Sequence, residues 1–412
     1  MKKWILSACV LLVAALSLPG QTLPADKFKN ATLVVQYTFS GTDKSCDIAV
    51  DELLRTPGWA GRTRRLDQVP LRGNGQIRMT RRSDGQVLYR MSFSTLFQEW
   101  QATEEATRVR KSFENVFQLP MPDAPVDITV ELYDFHNRVA ASLTHPVDPD
   151  DILIRPAGHT VPEHRFLRRS GPASKCIDVV IVSEGYTEEE MDVFYADARA
   201  AVESILSHEP FKTLANRFNF VAVALPSNES GVSIPKQGLW VDTALGSSFD
   251  TFYSDRYLTT LHLKNLHERI AGVPYEHIII LANTDNYGGG GIYNSYTLTA
   301  AHHPAFRPVV VHEFGHSFGG LADEYFYDDQ YTELYYPDVE PWEPNITTKA
   351  DFASKWQALM GRDGVGLYEG GGYQSKGVWR GSEDCRMKTN SYPAFCPVCQ
   401  DALSKLIHFY TD

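Results

Sequence analysis

Three unbroken apolar runs in the second half of the chain set the strongest limit on its fold. They are Asp178-Val179-Val180-Ile181-Val182, the stretch Phe218 to Leu225, and His277-Ile278-Ile279-Ile280-Leu281-Ala282. Runs this short, without polar alternation, belong to strands buried on both faces. After the first run, Thr187 with Glu190 three residues on makes a capping box, and helical apolar spacing continues to about Leu206. A second helix is expected from about Phe249 to Ile270, with Ser247 or Ser248 as its cap. Strands alternating with helices predict an α/β domain.

The first half reads differently. Within residues 25–145, strands are expected at Ala31–Phe39, Gln76–Thr80, Val87–Phe93 and Val126–Phe135, with turn signals such as Gly73-Asn74-Gly75 and Ser83-Asp84-Gly85 between them. Short strands separated by turns predict an antiparallel β-sandwich. No cluster of His, Cys or carboxylates falls here, so its expected role is accessory. Pro146, Pro149, Pro156 and Pro162 break up residues 146–175, where the domain boundary is expected.

Lys2 and Lys3 followed by the apolar run Trp4 to Leu18 read as a cleaved export signal over residues 1–20. No second apolar span follows, so no integral membrane span is expected after its removal. The chain carries 39 Lys and Arg against 51 Asp and Glu, a formal net charge of −12. That balance argues against nucleic acid and anionic membranes as partners.

The chemistry concentrates in Val309-Val310-Val311-His312-Glu313-Phe314-Gly315-His316. His312 and His316 are four apart, so a helix projects both from one face. Two imidazoles at that spacing grip one zinc ion at about 2.0–2.1 Å. Glu313, beside the first ligand, is placed to act as general base on a water. Two histidines leave a catalytic zinc one protein ligand short. Gly319-Gly320 is suited to end the helix and turn the chain back. The return brings Asp323 toward the metal as third ligand, with Glu324 as the alternative. Asp323, Glu324, Asp328 and Asp329 lack the spacing of a calcium loop and otherwise read as a solvated turn.

His312 to Tyr325 resembles the metzincin arrangement of metallopeptidases, displaced by one residue: the third-ligand position falls on Ala322 and the acid follows at Asp323. The string His-Glu-Phe-Gly-His-Ser-Phe-Gly-Gly-Leu-Ala-Asp-Glu-Tyr is similar to peptidase family M64, the group named for IgA-cleaving peptidases of bacteria. The likeness extends to Ser183-Glu184-Gly185-Tyr186-Thr187, to Ser227–Ser233 and to the glycine run Gly288–Gly291, covering roughly residues 150–412. The N-terminal half resembles the β-sandwich domain that precedes the peptidase in that family. The resemblance also implies a Met-turn in Asp384-Cys385-Arg386-Met387, with Met387 as a hydrophobic floor beneath the metal. Tyr392 and Tyr293 are candidates to steady an oxyanion, and the spacing singles out neither.

Cys385, Cys396 and Cys399 crowd the C-terminus. In an exported chain a disulfide joining Cys385 to Cys396 or Cys399 is expected. The alternative is a structural zinc site with His408 as fourth ligand. The strand after the glycine run is expected to lie at a sheet edge and pair with extended peptide. Together these features predict an α/β metzincin-like zinc peptidase domain (150–412) preceded by an antiparallel β-sandwich domain (25–145). The expected function is an exported zinc-dependent endopeptidase acting on polypeptide. The competing reading is a non-catalytic surface binding protein braced by a structural zinc; an intact Glu313 speaks against it.

Overall fold

A computed structural model describes residues 23–328 and 334–412. The expected signal segment and Asp329 lie outside the described residues.

The N-terminal part contains β1 (Phe28–Thr42), β2 (Ser45–Pro57), β3 (Gly75–Arg81), β4 (Val87–Phe93), the short helix α1 (Leu96–Gln101), β5 (Lys111–Pro122), β6 (Val126–Tyr133) and β7 (Val139–Val147). A two-residue strand β8 (Arg155–Pro156) follows. They form two four-stranded sheets, in the orders β5-β1-β2-β8 and β4-β3-β6-β7. Alternation sets each inner face: in β6, Val126, Ile128, Val130 and Leu132 are fully buried, while Asp127 and Glu131 are not. Phe39 and Phe117 of one sheet meet Phe93 of the other, with ring centroids 6.2 Å and 4.4 Å away from it. Such aromatic contacts contribute about 0.5–1.5 kcal/mol per pair beyond area burial. The expected strands are present. β2, β5 and β7 went unforeseen, because outward polar residues interrupt their apolar pattern.

The second part is built on a six-stranded sheet in the order β13-β14-β12-β10-β11-β9. Its elements are β9 (His164–Arg168), β10 (Ile177–Glu184), α2 (Met191–Leu206), β11 (Phe218–Val223), α3 (Leu263–Arg269), β12 (His277–Ala282), β13 (Gly289–Ile292) and β14 (Tyr296–Ala300). The three apolar runs are β10, β11 and β12, all buried; β10 pairs parallel to both β11 and β12. Thr187 and Glu190 form the predicted capping box ahead of α2. Alternate residues of the sheet face two cores. Val180, Val182, Ile278 and Ile280 join the N-terminal core. Val179, Ile181, Ile279 and Leu281 face α2 and the helices α4 (Phe306–Ser317) and α5 (Pro397–Thr411). Short strands β15 (Phe326–Tyr327), β16 (Ile346–Thr347), β17 (Tyr368–Gly371) and β18 (Tyr373–Arg380) make a further small sheet.

Two expectations need correction. The helix predicted over about 249–270 is only the seven-residue α3, without a serine cap. Asp250, Phe252 and Tyr253 have positive φ, and Ser248 instead bridges to Thr259. Aromatic residues at helical spacing here serve an irregular turn. The glycine run is itself the sheet edge, and the strand after it, β14, is internal between β13 and β12.

Candidate functional site

The site is assembled where α4 ends. Gly320 takes a left-handed backbone (φ 59°), and its N–H donates to the His316 carbonyl at 2.9 Å. This αL cap reverses the chain. A side chain at Gly320 would meet Leu71 and Trp342 as well as backbone strain. The returning Leu321 carbonyl accepts from His316 Nδ1 at 2.6 Å, and the Arg386 carbonyl accepts from His312 Nδ1 at 3.0 Å. These bonds place the ring protons on Nδ1 and turn both bare Nε2 atoms inward.

The two Nε2 atoms stand 3.0 Å apart. Asp323 Oδ1 lies 3.0 Å from His312 Nε2 and 3.2 Å from His316 Nε2. Three acceptor atoms thus converge with no proton between them, and Asp323 Oδ1 is buried without a hydrogen-bond partner. Such a cluster is repulsive unless a cation sits within it. Without a metal it recruits a proton: burial opposes charge on His316, but Asp323 overrides this and pushes its pKa up to about 9. Burial works against ionisation of Asp323, yet the imidazoles hold its carboxyl well below the usual range. The other Asp323 oxygen accepts from the Tyr373 hydroxyl at 2.5 Å.

Glu313 follows His312 on α4 and opens onto a cavity of about 1260 Å³ lined by both halves of the chain. Burial pushes its carboxyl above the ordinary range, with the two histidines opposing the shift. The glycine strand β13 runs tightly across α4. A Cβ on Gly289 would stand 3.0 Å from Glu313 Oε1, and one on Gly291 would stand 2.4 Å from the Glu313 carbonyl oxygen. Glycine here permits an approach that any side chain would block. The outer edge of β13 is not open to a peptide along its length. Gly289 exchanges hydrogen bonds with Arg256 and Leu258, and Tyr293 does so with Ser94. The expected β-pairing of substrate with this hairpin is therefore obstructed at both positions.

Met387 is fully buried, and its Sδ lies 2.7 Å from where a Gly315 Cβ would be. It thus packs against α4 at Gly315, one residue before His316. Glu324 does not join them. It lies with Cys385, Cys396 and Cys399, all four donor atoms within 4.8 Å of one another. Neither Asp323 nor Glu324 is the solvated turn residue expected as the alternative: both are buried. The three cysteines are free thiols. His408 is absent from the cluster, because its Nδ1 pairs with Asp412 at 2.8 Å near the surface. Tyr392 is 38% exposed, and the Tyr293 hydroxyl faces Ser92 at 3.4 Å.

Sequence reasoning missed Tyr373, Glu99 and Tyr257. Glu99, from α1, accepts from the Tyr257 hydroxyl across the cavity wall, and burial pushes the Glu99 pKa up to about 7. Nothing local marks these residues; only the fold brings them to the site.

Comparison with known families gives two matches. Residues 166–364 and 361–407 match the family described as IgA Peptidase M64. Residues 25–144 match the description Peptidase M64 N-terminus. A search of curated proteins finds no match to the chain.

Proposed function

The chain belongs to the M64 peptidase family, and from that premise we propose that it is an exported zinc-dependent endopeptidase with Glu313 as its general base. The observation carrying this reading is the convergence of His312, His316 and Asp323 at a large cavity, with Glu313 beside them. The donor set fits zinc: two imidazole Nε2 atoms and one carboxylate oxygen, three protein ligands in all, as in sites that keep a position open for chemistry. A bracing zinc would call for a fourth protein donor and no base.

Zinc, when bound, supplies positive charge that polarises a scissile carbonyl and acidifies water. The chain's own residues do the rest. Bonds from His312 Nδ1 to Arg386 and from His316 Nδ1 to Leu321 fix both ring orientations. The Tyr373 hydroxyl orients Asp323. Glu313 takes the proton from the attacking water and delivers it to the leaving amine. Its burial makes that carboxylate a stronger base than an exposed one. The absence of a side chain at Gly289 leaves room for its carboxyl group.

The same reading gives the C-terminal domain a metzincin-like organisation. A Met387 packed under the ligand helix and an antiparallel edge strand above it support this. The paired N-terminal sheets are read as a β-sandwich that walls the cavity, and a polypeptide substrate lies between the two halves. The boundaries proposed remain 25–145 and 150–412, after a signal over 1–20. Among the described residues no helix is long and apolar enough to cross a membrane.

The test is a peptide-library digest by the purified chain with and without a chelator, followed by zinc restoration. Internal cleavage that stops on chelation, returns with zinc and is missing in Glu313→Gln supports the reading. Cleavage indifferent to both treatments overturns it.

A further inference from the structure

We propose that Cys385, Cys396, Cys399 and Glu324 bind a second metal ion, a structural zinc separate from the one at His312, His316 and Asp323. The four donors are almost wholly buried, at 0%, 1%, 0% and 0% exposure respectively. Glu324 Oε1 accepts from Asn345 Nδ2 at 3.0 Å, but Oε2 is buried with no partner. An uncompensated buried carboxylate beside three thiols is expensive, and a cation among the four removes the cost.

The distances favour a metal over a disulfide. Two sulfurs each about 2.3 Å from a tetrahedral zinc stand about 3.8 Å apart. Cys385 Sγ and Cys399 Sγ are 3.7 Å apart. A sulfur and a carboxylate oxygen on the same ion stand about 3.5 Å apart. Glu324 Oε1 is 3.1 Å from Cys399 Sγ and 3.9 Å from Cys396 Sγ. A disulfide requires sulfurs about 2.05 Å apart and would leave Glu324 and a third thiol unpaired.

The backbone is arranged for thiolates. Cys396 N–H donates to Cys385 Sγ at 3.2 Å, and Cys399 N–H donates to Cys396 Sγ at 3.5 Å. Cys396 is the N-cap of the fifteen-residue α5, with Pro397 following it, so its sulfur sits at the positive end of the helix. Four protein donors close the shell, which marks a structural ion rather than a catalytic one. That ion would tie together three separate segments. Glu324 follows Asp323 directly and donates its N–H to the Met387 carbonyl at 2.8 Å. Cys385 precedes Met387 by two residues, and Cys396 and Cys399 belong to α5. The second ion thus braces Asp323 and Met387 without touching substrate.

The test is metal content together with cobalt substitution of the full chain. The wild-type chain should carry about two zinc ions. Loaded with cobalt, it should show a near-ultraviolet thiolate-to-cobalt charge-transfer band, which a site of two imidazoles and a carboxylate cannot give. His316→Ala should lose one ion and keep the band; Cys399→Ala should lose one ion and the band. The wild-type spectrum needs no variant, so misfolding of Cys399→Ala cannot hide the answer. One zinc per chain without the band overturns the second site, as does mass mapping that finds two of these cysteines bridged. The band present in a chain that cleaves no peptide overturns the peptidase reading alone.

Discussion

Asp323 and Glu324 are consecutive residues whose carboxylates serve different donor sets: Asp323 Oδ1 lies 3.0 Å from His312 Nε2, and Glu324 Oε1 lies 3.1 Å from Cys399 Sγ. The segment is held on both sides. Asn345 bonds both backbone groups of Ala322, the Asp323 carbonyl accepts from Gly372 N–H, and Glu324 N–H donates to Met387. Successive side chains of an extended chain point to opposite sides, so a one-residue slip would exchange the two roles.

Substitutions should therefore separate the two neighbours. Asp323→Ala should weaken zinc binding at the histidines by about 100-fold or more, since even partners of ligands cost 10–100-fold. Glu324→Gln should loosen the ion held by the cysteines and weaken zinc binding at the histidines far less than Asp323→Ala does. Equilibrium dialysis of each variant against zinc, with peptide hydrolysis in parallel, distinguishes them. Loss of the histidine-bound zinc in Glu324→Gln, with Asp323→Ala unaffected, would exchange the assignments.

Glu313→Gln should retain zinc and lose turnover. The amide matches the carboxylate in shape and cannot accept a proton, and loss of a general base typically costs about 10²–10⁴-fold. The expected outcome is a normal metal content with kcat reduced by that factor. A near-normal rate from the metal-loaded variant would remove Glu313 from the proposed mechanism.

Tyr373→Phe should act through Asp323 rather than on substrate. Its hydroxyl donates to Asp323 Oδ2 at 2.5 Å, and its backbone is held at φ 67° beside Gly372 at φ 56°. A strained residue kept at a ligand's back is a positioning device. Removing the hydroxyl should weaken zinc binding about 10–100-fold. Activity at saturating zinc should largely recover. Full activity and affinity at limiting zinc would show that the bond does not matter.

What was legible in the sequence follows from range. The strands β10, β11 and β12 were legible because burial on both faces leaves an unbroken apolar run. His312 and His316 were legible because helical spacing alone puts them on one face, and Asp323 because Gly319-Gly320 ends that helix. Tyr373 was not legible, since it lies fifty residues away from Asp323. The fate of Glu324 depended on α5 docking its cysteines nearby. The misread helix near Phe249 shows the converse: periodicity was present, but Tyr257 and Leu258 were needed against the glycine strand.

Gly291→Ala should destabilise the protein through a single methyl group. The added Cβ would lie 2.4 Å from the Glu313 carbonyl oxygen and 2.8 Å from His316 Cβ. Neither neighbour is the free end of a flexible chain, so β13 must move away from α4. Overpacking of this kind costs about 1–3 kcal/mol. Denaturant unfolding should show a lower midpoint with unchanged slope, and hydrolysis should fall with it. A variant as stable and active as wild type would mean that β13 yields freely.

Asp178→Asn should flatten the pH dependence of stability on the acid side. Asp178 sits at the start of β10, buried, with Oδ1 accepting from Asn219 at 2.8 Å and Oδ2 unpartnered. Burial pushes its pKa from 3.8 up to about 7, with Asn219 and Arg169 opposing. Glu276, close by, is raised in turn by its own burial and by Asp178. Between about pH 4 and pH 7 the folded chain keeps a proton on Asp178 that the unfolded chain has released. Stability therefore falls as pH rises through that window, by at most about 1.4 kcal/mol per unit from this residue. Below the window both states hold the proton and the contribution vanishes; above it the full cost is present. The introduced amide cannot ionise, and its oxygen can still accept from Asn219. The variant should therefore gain on wild type as pH rises and match it most closely near pH 4. Glu276 leaves both proteins a residual slope, smaller in the variant because the Asp178 charge that helps to raise it is gone, which adds to the flattening. Unfolding free energies of the two proteins at matched pH values and zinc concentration provide the measurement. Curves that stay parallel from pH 4 to pH 7 would show that Asp178 is already ionised in the folded chain.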